Sequence, residues 1–72
     1  MTRDVLLIAT MDGVENYART LGELLNSRVE VAAGRREGLA ALRRAVYGVV
    51  VVEEGLAESD PAWADQVWEL AG

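Results

Sequence analysis

The sequence contains no cysteine and no histidine. Those two absences together exclude disulfide bridges, thiol nucleophiles, Cys/His zinc sites and imidazole acid–base chemistry. Nothing in the chain calls for an oxidising compartment, so the cytoplasm is the expected location. Lysine is missing too: all seven basic residues are arginine, which we read as composition rather than function. Long apolar runs are also absent. The longest, Val5 to Ala9 and Val49 to Val52, fall far short of a bilayer-spanning segment, and no membrane partner is expected. The start of the chain lacks the basic flank, apolar centre and cleavage site of a leader.

What is present is a short chain, 72 residues, that is half hydrophobic. It is read as a single domain, 1–72, which should fold rather than stay disordered. At this length folding buries only about 60% of the unfolded surface, so the core is small. The charge is unevenly placed. Residues 1–52 carry seven arginines against six acids, while Glu53, Glu54, Glu58, Asp60, Asp65 and Glu69 follow with no base among them. An acidic segment of that kind disfavours nucleic acid as a partner.

The organising stretch is Tyr47 to Glu54. Its four consecutive valines, Val49 to Val52, read as a buried parallel strand, since β-branched side chains suit a pleated surface. A strand apolar on both faces calls for cover on both sides. Asp4 to Ala9 reads as a first strand and Arg28 to Ala32, with its alternating polar positions, as a half-exposed second. Between the first two strands, Val14, Tyr17, Ala18, Leu21, Leu24 and Leu25 share one helical face. Asp12 is the expected N-cap there, with Glu15 completing a capping box. A second helix is expected over about 36–46, with Leu39, Leu42 and Val46 inward and Arg35, Arg36, Arg43 and Arg44 mostly outward. Residues 54–58 read as a loop. Asp60 and Pro61 then open a third helix as N-cap and first residue. The order β-α-β-α-β-α with right-handed crossovers predicts an α/β fold with a three-stranded parallel sheet, order 2-1-3, and helices on both faces.

Two stretches carry a resemblance. Val29-Glu30-Val31-Ala32-Ala33-Gly34, continued by Arg35 to Leu42, resembles the second strand and helix of response-regulator receiver domains. Tyr47-Gly48-Val49-Val50-Val51-Val52-Glu53 resembles their third strand. The resemblance covers about residues 4–70 and implies a flavodoxin-like, receiver-like fold in a signalling context. It also implies missing chemistry. The phospho-acceptor position falls on Glu53 instead of aspartate. The family's magnesium-binding acid pair falls on Thr10-Met11 or, one register on, Asp12-Gly13, so at most one acid is available, too few for a hard cation. The fourth and fifth strands, with their switch hydroxyl and lysine, lie beyond the match, which makes this a truncated receiver-like module.

The remaining candidates are weighed against plainer roles. Glu53 and Glu54 are adjacent and should diverge as strand-end charges. Thr10, Asp12 and Glu54, with Glu53, could line a ligand mouth at the C-terminal end of the sheet. The phosphate-loop likeness of residues 10–15 is countered by Asp12 and Glu15, which occupy the place of an anion. Trp63 and Trp68 lie on different faces of the third helix, so that either both are core or one is at an interface. In order 2-1-3 the valine strand is an edge with no fourth strand beside it, which invites pairing. The expectation is therefore a non-enzymatic signalling or scaffolding module without cofactor or metal. It should act by protein–protein contact and form a homodimer through Val50, Val52, Trp63 and Trp68. The alternatives are a small-ligand or phosphoryl-accepting protein using the mouth, and a piece of a longer receiver-like protein.

Overall fold

The structure, a computed structural model, describes residues 4–72. Three strands, β1 (Val5–Ile8), β2 (Val29–Ala32) and β3 (Val49–Val52), form one parallel sheet in the order β2-β1-β3. Val5 is level with Val29 and Val49, and Ile8 with Ala32 and Val52. Four helices connect and follow them: α1 (Val14–Leu25), α2 (Arg35–Arg44), α3 (Glu54–Glu58) and α4 (Pro61–Ala71). The α/β class, the strand order and the parallel pairing are those the sequence predicts.

The side-chain period of two divides β1 between two cores. Leu6 and Ile8 face a layer made by Ala41 and Leu42 of α2 and Trp63 and Val67 of α4. Leu7 and Ala9 face Ala18 of α1, flanked by Val29, Val31 and Val51. The sheet thus carries α1 on one face and α2, α3 and α4 on the other. Every residue of β1 is buried. The strand that needs cover on both sides is therefore β1 and not the valine strand, which corrects the expectation. In β3 Val49 is exposed and Val50, Val51 and Val52 are half-buried.

Four local expectations also change. Asp12 does not cap α1: the cap is Gly13, in the left-handed region at φ 79°, with no side-chain hydrogen bond. That backbone, which glycine adopts without strain, takes the place of a capping box. Val46 is 96% exposed and not inward, because α2 ends at Arg44 and Ala45 is already extended. Residues 54–58 are a single helical segment, α3, rather than a loop. Arg35 turns inward along α3 and α4, as described below. The remaining helix ends are well formed. Asn26 closes α1 in the left-handed region, with Ser27 N–H donating to Gly22 O at 3.0 Å. Asp60 caps α4 by accepting from Trp63 N–H at 3.2 Å, with Pro61 in the first turn.

The α2 layer sits unusually close to the sheet. Gly38 is buried on the inner side of α2. A Cβ built there would lie 2.7 Å from Ile8 Cδ1, so only glycine lets the helix approach β1 this far.

Candidate functional site

Two places gather the residues singled out from the sequence. The first is the C-terminal end of the sheet. Glu53 follows β3 directly and its N–H donates to Ile8 O at 2.9 Å, extending the ladder by one bond. Its side chain then turns back over β1. Glu53 Oε1 accepts from Thr10 N–H at 2.9 Å and Met11 N–H at 3.1 Å, with the Thr10 hydroxyl at 3.5 Å. Glu53 is thus a clasp between the end of β3 and the turn after β1. Two backbone donors aimed at one carboxylate oxygen make charge-assisted bonds, stronger than neutral ones.

Thr10 and Glu53 are therefore brought together, but as a satisfied structural pair. Asp12 is exposed and belongs to a separate shallow surface with Gly13, Val14 and Glu15. Glu54 begins α3 and is exposed; it borders the same hollow as Glu53 but makes no hydrogen bond to Thr10. The hollow on this side is mostly apolar: Leu7, Ala9, Met11, Tyr17 and Val51 line it beside Glu53 and Glu54. Among the described residues no three acidic side chains come together as metal ligands would.

The second place is the outer side of β3 and the neighbouring surface of α4. No strand lies beyond β3 among the described residues. Ile8 pairs with Val52 in register and accepts from Glu53 N–H. In a parallel ladder that pattern turns Val51 and Glu53 toward β1. Val50 and Val52 therefore present their N–H and C=O groups outward. Their side chains lie on the α4 face, where they border a groove of about 190 Å³ with Ala57, Ala64, Trp68 and Ala71. Trp68 is 77% exposed at its rim. An indole so placed, beside unpaired backbone and with no charged side chain in the groove, is an uncommon surface for a monomer.

Trp63 is different. It is 4% exposed and sits in the core, meeting the groove only at its floor. Its Nε1–H donates to Arg35 O at 3.0 Å. The two tryptophans thus part company: Trp63 is core, and Trp68 is the one left at the surface.

Arg35 is the residue that the sequence reading missed. Its guanidinium lies 5.9 Å from the Trp63 ring centre and donates to Leu56 O at 3.1 and 3.2 Å and to the Ser59 hydroxyl. The Asp60 carboxylate is 3.9 Å away. One side chain from the first turn of α2 thereby fixes α3 and the start of α4, and with them one wall of the groove. A charged residue reads as exposed in a sequence, although a long side chain folds back readily over neighbouring structure.

No family model, curated protein or solved structure matches the chain.

Proposed function

We propose that the chain is a non-catalytic, receiver-like module of the flavodoxin type that acts in signalling or scaffolding by joining a second copy of itself through β3 and α4. One observation carries this reading: the uncovered edge of β3 runs directly into the apolar groove under Trp68. Backbone that lacks a partner and apolar surface that lacks cover are contiguous there, and one docking event would satisfy both. A second copy is the occupant that the edge itself favours. Val50 and Val52 offer the same outward N–H and C=O groups and the same apolar side chains in every copy, and no charged side chain in the groove opposes their meeting. Closed twofold pairing is also the commonest form of self-association. The cysteine-free composition suits a cytoplasmic setting.

The phosphoryl-accepting alternative is less well supported. The Glu53 oxygen it would need is engaged by Thr10 and Met11, and Asp12 lines a different hollow from Glu53.

Sedimentation equilibrium at micromolar concentration tests the proposal. A dimer is expected. Val50→Lys and Trp68→Glu should each weaken it by roughly tenfold or more, as loss of about 1.4 kcal/mol or more at an interface centre implies. Thr20→Lys, exposed on α1, should leave it unchanged. A single species at 7.8 kDa for the unmutated chain overturns the reading.

A further inference from the structure

The self-association proposed above leaves open how the two edges meet, and the backbone of β3 narrows that to one arrangement. Resting on that reading, we infer that two copies pair β3 antiparallel about a twofold axis at Val51, with Val50 opposite the partner's Val52.

The register follows from parity. Val50 and Val52 turn their backbone groups outward, and Val49, Val51 and Glu53 turn theirs toward β1. Only outward-facing residues can bond across a new junction. A twofold axis lying along the strands would pair them parallel, with each Val50 level with its own copy. A parallel ladder instead needs an outward-facing residue level with one that faces away, so that arrangement forms no ladder. A twofold axis perpendicular to the sheet gives an antiparallel pair, and its centre must fall on a residue.

Three centres are close enough to overlap the strands. A centre at Val50 needs Gly48 to bond the partner's Val52, but the Gly48 N–H is already donated inward to Asp4 O at 2.9 Å. A centre at Val52 sets Val50 against the partner's Glu54, which has left the strand for α3. A centre at Val51 sets Val50 against the partner's Val52 twice, and all the outward N–H and C=O groups of both residues are used. Val51 then faces the partner's Val51 as a non-hydrogen-bonded pair, the closer type, with Cα atoms about 4.5 Å apart.

The same axis keeps like faces together. Both α4 helices fall on one face of a six-stranded sheet, and each Trp68 covers the junction beside its groove. On the opposite face each copy brings its open apolar hollow at Met11, Tyr17 and Val51 to the axis. Glu54 comes level with the partner's Gly48.

The natural absence of cysteine makes the test clean, since a single introduced thiol can crosslink only to its own copy. Val51→Cys, treated with oxidised glutathione, should convert to a covalent dimer. Val50→Cys and Val52→Cys should crosslink at least about tenfold more slowly, because their copies sit on the diagonal, about 7–8 Å apart and outside disulfide reach. Hydrogen exchange on the unmutated chain gives a second readout. Val51 amide protection should persist on dilution, whereas Val50 and Val52 protection should be lost as dimer dissociates. A dimer in which Val50→Cys or Val52→Cys crosslinks fastest overturns the register and leaves the self-association intact. A dimer whose Val50 and Val52 amides exchange as freely as in the monomer overturns β3 pairing altogether. A chain that is monomeric by sedimentation fails at the earlier step.

Discussion

Tyr47 shows how one side chain can be at odds with its surroundings. Its ring packs against the core on the α2 and α4 face, yet its enclosed hydroxyl finds no hydrogen-bond partner among the described residues. Burial, and then the nearby Glu30 carboxylate, push its pKa above the ordinary value of 10.0. Arg44, which holds Glu30 at 3.2 Å, opposes that shift. An unsatisfied buried hydroxyl contributes nothing favourable, so Tyr47→Phe should leave stability unchanged or raise it by up to about 1 kcal/mol. The pH dependence has a definite sign. Below about pH 10 the phenol is protonated in both states and stability is level. Above it the unfolded chain loses the proton first, so the unfolded state binds fewer protons and stability falls as pH rises. Urea midpoints measured from pH 8 to about pH 11 should show that fall in the native chain and a shallower one in Tyr47→Phe. Equal slopes in the two proteins would remove Tyr47 as the cause.

At the scale of elements, the closest packing is between α2 and β1. Gly38→Ala adds a methyl where Ile8 leaves no room. Alanine favours a helix over glycine by about 1 kcal/mol. The clash with Ile8 should outweigh that gain and leave a net loss of about 1–3 kcal/mol. Ile8→Val in the same chain should recover part of it, because it shortens the side chain that Gly38 accommodates. Chemical denaturation of the two single variants and the double variant reads this directly, and a Gly38→Ala more stable than the native chain would refute the close approach.

The elements themselves were legible from the sequence where a period was long enough to see. Val14 to Leu25 spans three turns, and Asp60-Pro61 is a strong start signal for α4. By contrast α3 is one turn containing Gly55, too short for any period. Of the Val14 to Leu25 stripe, only Ala18 is fully buried, and Leu24 is 78% exposed. Alone on its face, α1 packs chiefly over β2, so much of its apolar stripe meets no partner. The valine strand departs from its expected burial because of where it lies in the sheet. Four valines report apolarity, but edge or centre is decided by strand order, and order 2-1-3 gives the middle to β1. Of the candidate site, the edge position of Val50 and Val52 follows from strand order, and the helical angle sets Trp63 and Trp68 on different faces without saying which of them is core. The Glu53 clasp could not, because its acceptors' partners are backbone N–H groups that carry no residue signature.

At the scale of the whole molecule, the sheet has two unlike edges. The β2 edge alternates, with Glu30 exposed between Val29 and Val31. Arg44 lies 3.2 Å from Glu30, and Arg28 lies 3.9 Å from Asp4 at the strand's start. Charges along an edge discourage another strand from adding there. Among the described residues the β3 edge has no such guard. Pairing β3 with its own copy consumes the one adhesive edge of each molecule and leaves only the charged β2 edges outermost. Growth should therefore stop at two. Raising the protein concentration a hundredfold above the dissociation constant should bring the mass to a plateau at the dimer, with no rise in light scattering. A steady climb beyond it would mean that β2 also pairs. A chain that pairs as proposed should keep at high concentration without turning into a fibre, and the credit would belong to a glutamate and an arginine on the side of the sheet that stays free.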